Sequence, residues 1–84
     1  MTVWLLEAGE HHDHHDVVGV HTTERSGVGQ AQVLMAAGGV APGIEWQDES
    51  GPGLHHWERV FTGQSARYPR PDCAFLTLTE WPVL

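Results

Sequence analysis

The sequence predicts a small α+β domain in which one helix packs on a mostly antiparallel sheet, with elements in the order β-β-α-β-β. Three observations carry this expectation. Apolar residues alternate at two-residue spacing near both ends of the chain, they recur at helical spacing between, and Gly and Pro punctuate the boundaries. The chain has 84 residues and reads as a single domain, 1–84, because a chain of this size buries only about 60–65% of its unfolded surface and has no material for a second core.

Thr2 to Ala8 is rich in β-favouring residues, with Val3, Leu5 and Glu7 on one side of a pleat and Trp4, Leu6 and Ala8 on the other. Gly9 to His14 is polar and turn-friendly, and His15 to Thr22 is again β-like, so the two runs form an antiparallel hairpin. Thr22 or Thr23 can cap a helix that carries Glu24 in its first turn and Val28, Ala31, Leu34, Met35 and Gly38 along one stripe. Gly27 and Gly29 each cost roughly 1 kcal/mol relative to Ala in a helix interior, which places the ordered start near Val28. Gly38 and Gly39 end it.

Val40 to Gly53 holds Pro42, Gly43, Gly51, Pro52 and Gly53 and reads as an irregular excursion that folds Ile44 and Trp46 back onto the core. Leu54 to Phe61 fits two templates. Trp57, Arg59 and Phe61 suit a strand, whereas Leu54, Trp57 and Phe61 also suit one face of a short helix; the strand is favoured. Gly63 to Asp72, with Pro69 and Pro71 around Arg70, reads as a loop, and Cys73 to Thr79 as a strand with Ala74, Leu76 and Leu78 on one side.

The formal charge is −7, from eleven acidic residues against four Arg and no Lys. That balance disfavours binding to nucleic acid or to an anionic membrane through a basic surface. The single Cys73 excludes an intramolecular disulfide and suits a reducing compartment, while the N-terminal apolar stretch is too short for a signal or spanning segment. A cytoplasmic location is expected.

The run Val3-Trp4-Leu5-Leu6, Gly9-Glu10, Asp13 and then Val17-Val18-Gly19-Val20-His21-Thr22-Thr23-Glu24 resembles the start of a group of small uncharacterised bacterial and phage proteins. The resemblance covers about the first 30 residues. It implies a strand, a short loop carrying an aspartate, and a second strand that turns into a helix. His21 stands where that group usually has an aromatic residue. The resemblance supplies no catalytic residues.

Two features bear on function. His11, His12, Asp13, His14, His15 and Asp16 place four imidazoles and two carboxylates in six residues. Alternation across a hairpin tip would send these side chains to opposite sides, so the run reads mainly as a solvated turn. His11, His12, His14 and His15 are also a candidate zinc site, whose donor set His55 or His56 completes if the third strand passes beside the tip. The other feature is tryptophan content. Four in so small a chain exceed what the core needs, which marks Trp46, Trp57 and Trp81 as candidate partner-binding residues.

No catalytic signature stands out. Ser26-Gly27-Val28-Gly29 has Gln32 where a dinucleotide fingerprint needs Gly and lacks the Lys of a P-loop, and Cys73 reads as core packing rather than a nucleophile. The expectation is a non-enzymatic accessory protein of a phage or mobile element, without a cofactor, that binds a host or phage protein. A metal-binding protein or small metal-dependent hydrolase is the alternative, and self-association through a sheet edge is a further possibility.

Overall fold

The computed structural model of this chain describes residues 1–10, 16–37, 43–62 and 70–83, with side chains described for all of these except 70–73. The elements are β1 (Thr2–Glu10), β2 (Asp16–His21), α1 (Glu24–Ala37), β3 (Ile44–Asp48), β4 (Leu54–Phe61) and β5 (Arg70–Pro82). The fold is α+β, mostly sheet: five strands in spatial order β2-β1-β5-β4-β3, every neighbouring pair antiparallel.

Alternation in β1 sorts its residues as expected. Trp4 and Leu6 are buried beneath α1, with Ala8 packed beside them, while Val3, Leu5 and Glu7 occupy the opposite face. Register carries the same division across the sheet, because Leu6 pairs with Leu78 and Ala8 with Leu76 on β5, and those residues pair in turn with His55 and Trp57 on β4. The core is therefore Trp4, Leu6, Ala31, Trp57, Leu76 and Leu78, with Val28, Leu34, Met35 and Trp46 packed against it. Leu6 and Leu78 are fully buried, each worth roughly 1.5–3 kcal/mol relative to exposure. Gly63–Pro69, the first part of the expected loop, lies outside the described residues.

The helix begins at Glu24, not near Val28. Thr23 is its N-cap: its hydroxyl accepts from the Ser26 N–H at 3.2 Å and its carbonyl from the Gly27 N–H at 3.3 Å. Gly27 is tolerated inside because it sits on Leu78. A Cβ there would lie 2.6 Å from Leu78 Cδ1, so the missing side chain is what lets α1 approach the sheet. Gly38 and Gly39, read as the stop signal, lie outside the described residues.

The order is β-β-α-β-β-β rather than β-β-α-β-β, because Ile44–Asp48 is a strand and not part of an irregular excursion. Glycines and prolines concentrate at its ends, where they make turns. Pro52 and Gly53, the latter at φ +70°, fill the central positions of a tight turn closed by hydrogen bonds between Gly51 and Leu54 in both directions, the arrangement of a type II turn. Gly43, at φ +83°, accepts from the Thr62 N–H at the other end of the hairpin.

Leu54–Phe61 is a strand, as favoured. The last strand starts earlier than expected, at Arg70, so Arg70–Asp72 belong to β5. Pro71 pairs with Val60 next to a register irregularity between Glu58 and Val60, in a stretch of β5 beyond its pairing with β1, which reaches only Ala74.

Candidate functional site

The helix lies on one face of the sheet, and among the described residues no element covers the other face. The uncovered face can be read from the register. Leu5 pairs with Val20 and Thr79, Val3 with Trp81, and Thr79 with Leu54, so Val20, Leu5, Val3, Trp81 and Leu54 form an apolar stripe around Thr79. Val20 is 63% exposed and Trp81 52%. The Trp81 indole N–H donates to Thr79 Oγ1 at 2.7 Å, which lays the ring along the sheet.

Beside that stripe, Glu7 pairs with Thr77, Thr77 with His56, and Phe75 with Glu58. His56 and Glu58 are two residues apart on β4 and so share a face. Their Nε2 and Oε1 atoms are 2.9 Å apart, both side chains being largely withdrawn from solvent. The other ring nitrogen, Nδ1, is 2.9 Å from Thr77 Oγ1, and the ring stacks on Phe75 with centroids 5.8 Å apart. Glu49 joins them just past β3, where its N–H donates to the His56 carbonyl at 2.8 Å. Glu49, His56 and Glu58 can each offer one ligand atom within 4.8 Å of the others.

His55 points the opposite way. On the helix side it stacks on Trp57 at 5.5 Å, approaches Trp4 at 6.2 Å, and places Nε2 2.6 Å from Glu24 Oε1. It ties the first turn of α1 to β4 and cannot serve the same ion as His56. His11, His12, His14 and His15 lie outside the described residues, as does Asp13.

The three candidate tryptophans divide by burial. Trp57 is 6% exposed and belongs to the core, since its position opposite Leu76 turns it under the helix side of the sheet. Trp46 pairs with Arg59 on the same side and is half-buried against the core. Trp81 stands open on the uncovered face.

Glu49, Glu58 and Thr77 were not singled out from sequence. The His56-x-Glu58 spacing was a usable signal, but Glu49 joins only through the β3–β4 hairpin. Close by, the Asp48 carboxyl is held below the usual carboxylate range, first by the Ser50 hydroxyl and then by the Ser50 N–H, which donates to Oδ1 at 2.9 Å.

Comparison with protein-family models, with curated proteins and with solved structures finds no match to this chain. Among the described residues, no helix is long and apolar enough to cross a membrane.

Proposed function

We propose that the protein is a non-enzymatic accessory protein, encoded by a phage or mobile element, that binds another protein through the uncovered face of its sheet. The observation that carries this reading is the stripe Val20, Leu5, Val3, Trp81 and Leu54, which no described element shields from water. Apolar surface with an exposed indole suits a protein partner, where Trp gives large contact area at small entropic cost. Glu7, Glu49 and Glu58 border the stripe and the chain is strongly acidic, so the fitting partner has an apolar patch with a basic rim.

The test is affinity isolation from the native host with the natural chain and with a Val20→Ser/Trp81→Ser variant, both shown folded by circular dichroism. A defined partner should be retained by the first and lost by the second. Retention by both, or by neither, overturns the reading. Sedimentation of the isolated chain separates partner capture from pairing of two copies.

A second reading is favoured by one specific observation. An imidazole nitrogen and two carboxylate oxygens are a donor set suited to zinc or a similar divalent ion, with a position left for water. Thr77 can accept from His56 Nδ1–H, which would free Nε2 for the ion. Replacing His11, His12, His14 and His15 with Ala removes the competing run. Calorimetry of that variant should then show one zinc site with a dissociation constant below about 1 μM, or roughly −8 kcal/mol, abolished by adding His56→Ala. A site that survives His56→Ala, or no one-to-one site at all, excludes it.

A further inference from the structure

A chain of hydrogen bonds links the second strand to the helix and ends on a serine. The Gln30 side-chain amide donates to the Val18 carbonyl at 3.0 Å. A carbonyl can only accept, so this bond orients the amide and leaves Gln30 Oε1 facing His21 Nε2, with which it is paired. An amide oxygen also only accepts. The neutral imidazole therefore keeps its proton on Nε2, and its lone pair lies on Nδ1. Ser26 Oγ sits 2.7 Å from that nitrogen, so the hydroxyl donates its proton to a base whose tautomer is already set.

The surroundings are built to admit this relay. Gly19 lies directly under it, and a Cβ there would collide with Gln30 Oε1 and come within 2.8 Å of His21 Nε2. Ser26 is exposed on the first turn of α1, its backbone held by the Thr23 cap. The backbone N–H groups of Glu24 and Arg25 belong to the same turn and, like those of any helix start, have no intrahelical acceptor, so the positive end of the helix lies beside the hydroxyl.

We propose that Ser26 is a nucleophilic serine, with His21 as its general base and Gln30 as a positioning residue, that accepts an acyl group from small activated esters. Ser26 Oγ attacks the carbonyl carbon while Nδ1 of His21 takes the hydroxyl proton, and negative charge forms on the carbonyl oxygen near the helix start. The ester C–O bond then breaks. The departing oxygen takes the proton back from the imidazolium, leaving as a neutral alcohol or phenol, and Ser26 carries the acyl ester. Gln30 orients the ring as the acid of a Ser-His-Asp triad does, but as a neutral amide it stabilises the imidazolium less, so acylation is slow. The site is open and the chain acidic, which favours short, uncharged acyl donors.

The test uses p-nitrophenyl acetate with the full chain, and peptide mapping by mass spectrometry locates the acetyl group. Mapping is essential because the other histidines and Cys73 also react with this reagent. Acetyl-Ser26 should form at a measurable rate. That rate should fall about a hundredfold in His21→Phe, and fall less in Gln30→Met, which keeps the imidazole but frees its orientation. Both variants are checked for fold by circular dichroism, and Gly19→Ala, which displaces Gln30, gives a second route to the same loss. No acetyl at Ser26, or acetylation there at an unchanged rate in His21→Phe or Gln30→Met, overturns the proposal.

Discussion

Gly27 and Gly29 stand two positions apart in one helix, and their surroundings are opposite. Gly27 is buried with Leu78 beneath it, whereas nothing lies within 4 Å of a Cβ built at Gly29. Gly29→Ala should therefore stabilise the protein by about 0.5–1 kcal/mol through helix propensity alone. Gly27→Ala gains the same term, but its methyl must displace a fully buried leucine, and overpacking costs roughly 1–3 kcal/mol. Its net effect should be a loss of about 1 kcal/mol. Urea denaturation of the two variants reads the difference, and a Gly27→Ala midpoint at or above that of Gly29→Ala would show that Leu78 yields freely. Sequence reasoning priced both glycines alike, because propensity is local and the leucine that distinguishes them is about fifty positions away.

Among the elements, β5 is the central strand of the sheet. It pairs with β1 on one side and β4 on the other, whereas β2 and β3 form the edges. Hydrogen exchange should follow that order, with the Leu76 and Leu78 amides slower by at least about a hundredfold than the outward amides of β2 and β3. Equal protection across all five strands would mean that the edges are covered in solution. The β3–β4 hairpin shows why one strand was missed. Ile44-Glu45-Trp46-Gln47-Asp48 alternates over only five residues, and the glycines and prolines flanking it mask so short a signal. Those residues close the turn that lets the strand pair. Arg70–Asp72 was missed for a related reason: Pro71 argued against a strand, but this stretch pairs only with β4, beyond the reach of β1 and next to a register irregularity.

At the scale of the molecule, one helix on five strands leaves a face open among the described residues, and both functional readings on the sheet use that open side. The stripe around Trp81 offers a partner surface, and the Glu49, His56 and Glu58 group sits beside it. The two readings separate experimentally because Val20→Ser/Trp81→Ser leaves the ligand atoms intact and His56→Ala leaves the stripe intact. The Ser26 relay is independent of both, lying at the β2 edge against the helix.

The α+β class, the β1–β2 hairpin, the helix stripe and the sides of β1 were all legible in the sequence, because each depends on periodicity within a run of neighbours. The same rule puts His56 and Glu58 on one face once Leu54–Phe61 is a strand. Which face it would be, and what else would stand on it, were tertiary decisions. His55 and His56 are adjacent in sequence yet meet Glu24 and Glu58 on opposite sides of the sheet. Trp57 and Trp81 are alike in composition, but one pairs beneath the helix side and the other beyond it. Glu49 reaches His56 through the β3–β4 pairing, and Ser26 reaches His21 through the packing of α1 on β2. Local pattern determines an element and its two sides. Only the order and register of strands, and the one face that a single helix can cover, determine which residues meet.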